Sequence, residues 1–286
     1  MTSYMQRKFY NLFKPKIFLD NSLLVTSVHS GTFYPDFFLR NLLSDKNLCS
    51  SMEDMFVNDL LQGIEENGVN FLKSNISRSV IDLNRKDTEI DSALIDGVFP
   101  YETEYSQLVR SGIGLLPYRT TKGDVIFKRR FKIGEVLFLI NNFYKPWHSN
   151  LKKISNDIWN QMGRVTILDM HSMPDAKGLP DIVLGNRFGK TCNLDIMNYF
   201  SYNIERLGYS VEINKPYAGG FITKEYCNED KNIQTLQLEI NRKLYMDEEN
   251  FTKNHNFQKL KHDIKMLITG FSHYLKSFDY KKIINE

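Results

Sequence analysis

What the sequence lacks narrows the field first. Its 286 residues contain no window approaching 18 uninterrupted apolar positions, so no transmembrane helix is expected. A mildly basic amino terminus is interrupted between Asn11 and Asp20, too early for the apolar core of a signal peptide. Only three cysteines occur (Cys49, Cys192 and Cys227), without CxxC spacing, which excludes a disulfide framework and suggests a reducing compartment. The net charge of +3 is small, and the lysines are dispersed rather than clustered. Neither nucleic acid nor a membrane surface is implied as a partner. P-loop, GxGxxG, GxSxG and HExxH motifs are all missing. Ser30 and Ser172 each follow a histidine without a nucleophile-elbow context, so a serine hydrolase is disfavoured.

What remains is a 33.6 kDa chain with 42% hydrophobic and 25% charged residues, the balance of a soluble, cytoplasmic globular protein. The stretch Thr166-Ile167-Leu168-Asp169-Met170-His171-Ser172-Met173-Pro174 organises it. A buried strand over Val165–Leu168 delivers an acid, a histidine and a serine at its carboxyl end, where ligands bind in open α/β sheets. The same grammar appears in Leu23–Val28 followed by His29-Ser30-Gly31. Two strands that each end in His-Ser suggest one site assembled from two places.

Residues 1–20 read as a lead-in to the fold, with Phe9, Leu12, Phe13 and Ile17 available to pack on its surface. A helix is expected from Met52 to about Glu66, capped by Ser50 or Ser51 and ended by Gly68. Two short strands follow within 69–85, the second being Ser79–Leu83, and then a long loop over 86–119. Residues 123–129 read as a strand. An amphipathic helix from about Ile133 to Met162 should kink or split at Pro146. Beyond it come strands at 180–185, 209–213 and 235–240, a helix capped by Thr191, and a carboxyl-terminal helix over 257–275. With no repeat and no clean linker, one α/β domain with a mixed sheet over residues 1–286 is expected.

A catalytic zinc site wants about three protein ligands. His29 and His171, each either a capped or surface histidine or a ligand, would supply two, and the third is sought among carboxylates. Asp54 and Glu53 are candidates, although an acid at a helix start also serves the helix dipole. Asp169, two residues before His171, is expected on the opposite face of an extended strand and is assigned to orienting a histidine. Glu239, an acid in an apolar strand, either pairs with a cation such as Arg242 or faces the site as a general base. Arg85 offers a fork for a carboxylate or an oxyanion, or forms an ordinary salt bridge. Gly219 and Gly220 either bring backbone amides close to an anionic ligand or make a plain turn. His148 is assigned to packing or site lining, and His255, His262 and His273 to the solvated surface.

Seven short motifs in order now resemble one family. They are His29-Ser30-Gly31 with Pro35, Glu53-Asp54-Met55-Phe56-Val57-Asn58, Asp82-Leu83-Asn84-Arg85, Asp169-Met170-His171-Ser172, Asp181-Ile182-Val183-Leu184-Gly185 with Gly189 and Cys192, Asn214-Lys215-Pro216-Tyr217 with Gly219-Gly220, and Gln237-Leu238-Glu239 with Arg242 and Tyr245. Together they resemble the N-formylglutamate amidohydrolases, relatives of the zinc carboxypeptidases, from about residue 23 to 247. The resemblance implies a three-layer α/β/α fold of the phosphorylase/hydrolase type. It also implies one zinc ion bound by His29, an acid and His171, with Glu239 as base and Arg85 near the substrate carboxylate or the developing oxyanion. Carboxypeptidases place a glutamate three residues after the first histidine, where Thr32 stands here; the acid therefore passes to Asp54, with Glu53 as the alternative. Asn84, Arg85 and the Gly219-Gly220 loop would hold the carboxylates of a small N-acyl amino acid, N-formyl-L-glutamate first. Asn58 replaces a common aspartate, and residues 86–122, which shape the pocket, match poorly. Two rival readings are cleavage of a different N-acyl amino acid or short peptide, and a binding protein without chemistry.

Overall fold

The structure is a computed structural model that describes residues 9–15, 22–43, 47–120 and 123–284, with side chains described to residue 277. Its strands are β1 (Tyr10–Phe13), β2 (Leu23–Ser27), β3 (Asn70–Ser74), β4 (Ile95–Asp96), β5 (Phe131–Lys132), β6 (Val165–Met173), β7 (Ile182–Gly185), β8 (Val211–Ile213), β9 (Ile233–Asn241), β10 (Met246–Asp247) and β11 (Thr252–Lys253). Seven of them form one sheet in the order β1-β3-β2-β6-β9-β7-β8, and β4–β5 and β10–β11 are separate two-stranded pairs. β2, β6 and β9 run parallel, whereas β7 is antiparallel to β9 and parallel to β8. The fold is therefore α/β with a mixed central sheet and flanking helices. All nine residues of β6 are buried, as is all of β2, because strands covered on both faces read as continuous apolar runs.

The described residues group into two compact units. One draws on residues 9–11, 28–43, 47–55, 73–120 and 123–151, the other on 12–15, 22–27, 56–72 and 152–284. The second holds β2, β6, β7, β8 and β9, with the helices Leu194–Arg206 and Phe257–Ile284. Among the described residues no helix is long and apolar enough to cross a membrane.

Several expectations need correction. The helix foreseen over Met52–Glu66 is two separate turns, Val57–Leu60 and Ile64–Asn67. Phe56 and Gly63, both at positive φ (64° and 90°), precede them and prevent continuation. Ser79–Leu83 forms no strand. There the Ser77 hydroxyl accepts from the Ser79 amide and the Asp82 carboxylate accepts from the Asn84 amide, local bonds that displace a ladder. Residues 123–129 contribute only isolated bridges, the strand beginning at Phe131. Asn193, not Thr191, caps the helix Leu194–Arg206, accepting from the Ile196 amide at 3.0 Å.

The helix over Ile133–Met162 is interrupted, but ahead of Pro146 rather than at it, by a π-helical segment. Ile133–Leu139 is followed by the π turn Ile140–Tyr144 and then by Lys145–Met162. Pro146 brings no amide hydrogen to the turn behind it, and a widened turn tolerates that loss. β6 extends further than expected, so His171 lies within the strand rather than after it. The last helix likewise runs on to Ile284. Ile17 lies outside the described residues.

Candidate active site

β2 runs straight into Val28 and His29, and His29 is only 2% exposed. Gly31 is required two residues later, because a Cβ there would collide with the backbone of Asn75 and Ile76. The Asp54 amide donates to the His29 carbonyl at 3.1 Å, which brings the Asp54 carboxylate to 3.6 Å from His29 Nδ1. Asp54 is 1% exposed. Its neighbour Glu53, the alternative acid, is employed otherwise: its Oε1 accepts hydrogen bonds from the hydroxyls of Tyr34 and Ser77. Burial and the Glu53 charge push the Tyr34 phenol well above its ordinary value. It therefore stays a donor.

The other ring nitrogen of His29 meets a residue not singled out from sequence. Nε2 lies 2.7 Å from Oδ1 of the fully buried Asp82. Burial alone would raise the Asp82 carboxyl, but Arg85, His29 and Arg78 together hold it well below the usual carboxylate range. Arg78 Nε donates to Oδ2 at 3.0 Å, and Arg85 Nη2 stands 3.7 Å away. An ionised carboxylate only accepts, so Nε2 donates a proton to Asp82, and Nδ1 faces Asp54. The sequence signal was present in Asp82-Leu83-Asn84-Arg85, as an acid two residues before an Asn-Arg pair. Arg85 itself, 8% exposed, gives Nε to the Ile113 carbonyl and Nη1 to the Asn84 carbonyl, both at 2.9 Å.

β6 positions the second histidine. His171 Nε2 lies 2.8 Å from Oδ2 of Asp169, whose Oδ1 accepts from Thr26 Oγ1 on β2 at 2.6 Å. Asp169 is thus on the same face as His171, not the opposite one, since side chains two apart in a strand share a face. Parallel register sets Glu239 of β9 beside His171, and Gln237 beside Asp169. Gln237 Nε2 donates to Glu239 Oε1 at 2.7 Å, and Gln237 Oε1 accepts from the Gly220 amide at 2.7 Å. Glu239 is 7% exposed. The Gly219-Gly220 turn is seated on β7: a Cβ on Gly185 would stand 2.7 Å from the Gly219 nitrogen. Arg187 Nη1 donates to the Gly219 carbonyl at 2.9 Å. Arg242, considered as a partner for Glu239, donates to Ser172 Oγ at 3.2 Å and stands 3.5 Å from Glu248. His255, His262 and His273 are exposed.

One nitrogen each from His29 and His171 and one carboxylate oxygen from Asp54 lie within 4.8 Å of one another, a His-Asp-His group able to hold a metal ion. The 3.6 Å between His29 Nδ1 and Asp54 is close to the ~3.4 Å edge of a tetrahedron with arms of about 2.1 Å. Two imidazoles and a carboxylate, all buried, with a further carboxylate behind each ring, fit a borderline divalent cation.

Residues 21–246 match the family of N-formylglutamate amidohydrolases. The N-formylglutamate deformylase of Pseudomonas putida is 27% identical over 236 residues, covering 79% of this chain and 82% of that protein. For the Pseudomonas aeruginosa enzyme the figures are 25% over 241 residues, 79% and 83%. The crystal structure of N-formylglutamate amidohydrolase from Ralstonia eutropha JMP134 superimposes with a TM-score of 0.87 at 29% identity, covering 94% of this chain and 98% of that one.

Proposed function

Because the chain belongs to the N-formylglutamate amidohydrolase family, we propose that it is a metal-dependent amidohydrolase, a single domain over residues 1–286, cleaving N-formyl-L-glutamate to formate and L-glutamate. His29, Asp54 and His171 would hold the ion, zinc by the chemistry of the donors. The grouping of these three side chains carries the reading. A divalent ion held there supplies positive charge that polarises a carbonyl and acidifies water.

The protein's own groups do the rest. Asp82 and Asp169 fix the two imidazoles by binding one nitrogen of each ring, leaving the other nitrogen for the ion. Glu239, beside His171 in the sheet and held by Gln237, takes a proton from the attacking water and returns it to the departing amine. Water adds to the formyl carbon, the C–N bond breaks, and both products leave with atoms balanced. Arg85, together with Asn84 and the Gly219-Gly220 turn, is assigned to the anionic groups of the substrate and the oxyanion. Arg85 arrives already oriented by the carbonyls of Ile113 and Asn84.

The test is formate release by purified protein from a panel of N-formyl, N-acetyl and dipeptide substrates, alongside metal analysis. Zinc near one equivalent and a clear preference for N-formyl-L-glutamate are expected. Preference for another N-acyl amino acid would reassign the substrate. Absence of zinc, and of hydrolysis after zinc is added, would leave a binding protein.

A further inference from the structure

We propose that Tyr144 and His148 are positioning residues: from one helix face they hold the backbone carbonyls of Arg85 and Leu83 and thereby fix Asp82 against His29. This inference rests on the hydrolase reading above only for its catalytic consequence. Its structural content stands apart from it.

The need for such a device is visible in the backbone. Residues 82–85 carry Asp82 and Arg85 yet belong to no strand or helix. On one side the stretch is tied to the 113–115 segment, through the Asp82 amide to the Leu115 carbonyl at 2.8 Å and Arg85 Nε to the Ile113 carbonyl at 2.9 Å. On the other side the helix holds it. Tyr144 Oη donates to the Arg85 carbonyl at 2.8 Å, and the His148 ring hydrogen-bonds the Leu83 backbone. The two rings lie 4.2 Å apart, as residues four apart on a helix should. Burial pushes the His148 pKa down to about 4, so near neutrality the ring is uncharged and keeps one N–H for that bond.

The helix is shaped for the purpose. Tyr144 closes the π turn Ile140–Tyr144, and Pro146 lies between the two side chains. An extra residue in one turn rotates everything after it by about 100° relative to what precedes it. Here that rotation sets which face of Lys145–Met162 meets the 82–85 stretch. Widened turns of this kind recur at functional sites. A regular helix through the same residues would aim Tyr144 and His148 differently, and the carbonyls of Arg85 and Leu83 would need other donors.

The test uses the full chain with two variants, Tyr144→Phe and His148→Phe, which keep a ring and delete the donor. First, the imidazole nitrogen shifts of His29 are recorded by NMR on metal-free protein, where the Asp82 contact gives a nearly pure Nε2–H tautomer. The variants are expected to move both nitrogens toward an averaged position, with Tm lowered by only about 2–4 °C, as for one hydrogen bond in a chain of this size. Zinc affinity and kcat/KM should each fall by roughly 10-fold or more. Wild-type nitrogen shifts together with wild-type zinc affinity in Tyr144→Phe would overturn the inference. Should His148→Phe fail to fold, Tyr144→Phe alone decides. Were the wild type to show neither zinc nor hydrolysis, the functional reading would fall while the nitrogen shifts still judged the positioning role.

Discussion

Nε2 of His29 and Oδ1 of Asp82 are 2.7 Å apart, although 53 positions separate them in the chain. The contact fixes the histidine tautomer and leaves the ring's other nitrogen beside Asp54. Asp82 in turn is held ionised by two guanidinium groups, those of Arg78 and Arg85.

Asp82→Asn is therefore expected to be costly and its cost to depend on acidity. Removing one member of a buried charge cluster costs about 3–5 kcal/mol, and the amide's remaining acceptor should place this variant near the lower end. The folded carboxyl sits well below its ordinary 3.8, so its contribution is fully present above about pH 4. It is lost as pH falls through the folded value. Urea unfolding at pH 7, 5 and 3 should give a gap between wild type and variant that is constant across the first two and narrower at the third. A gap that widens on acidification contradicts the assignment.

Asp54 and Glu53 should separate cleanly despite being neighbours. Asp54→Asn is expected to abolish stoichiometric zinc. Glu53→Gln should instead keep zinc and lose stability, because its partners are the Tyr34 and Ser77 hydroxyls. A cost of about 1–3 kcal/mol follows from disturbing two buried bonds to a charged group. Zinc content and thermal unfolding of the two variants decide which acid is the ligand. Zinc retained by Asp54→Asn and lost by Glu53→Gln would invert it.

The central strands of the sheet were legible because they are buried on both faces, with Leu23–Ser27 and Val165–Leu168 the clearest cases. The grouping of His29, Asp54 and His171 followed from the family resemblance, with the two histidines also suggested by matching strand ends. Illegible were the places where side chains bond to backbone nearby. Ser77, Ser79 and Asp82 turned an apparent strand into a knot of local bonds, which no periodicity reveals. Phe56 at φ 64° ended a helical pattern without a glycine or proline to announce it. In place of the π turn before Pro146, only a kink or split at Pro146 itself was foreseen. Asp82 itself was missed as a histidine partner because its role depends on folding across 53 positions.

Gly185→Ala tests how firmly the Gly219-Gly220 turn is seated. The added methyl would stand 2.7 Å from the Gly219 nitrogen and 2.8 Å from the Ala218 carbonyl carbon, both backbone atoms. Neither can swing aside as a side chain could. Overpacking of this kind costs about 1–3 kcal/mol. Displacing the turn should also loosen the Gly220 amide from Gln237, and with it the group that holds Glu239. Lower stability accompanied by lower kcat is expected, measured by urea unfolding and formate release. Wild-type values for both would show that the turn is freely adjustable.

Glu239→Gln isolates the proton-transfer role from the architecture. The amide has nearly the shape of the carboxylate, and its oxygen can still accept from Gln237 Nε2 in place of Oε1. The local fold and the three proposed ligands are thereby kept. What disappears is the capacity to take a proton, which as general acid–base catalysis is worth about 10²–10⁴ in rate. Formate release should therefore fall by that factor while zinc content stays near one equivalent and KM changes little. His171 lies directly across the register from Glu239, so metal analysis of the same preparation is the needed control. A variant that keeps zinc and hydrolyses at the wild-type rate removes Glu239 from the chemistry and returns the base to another residue.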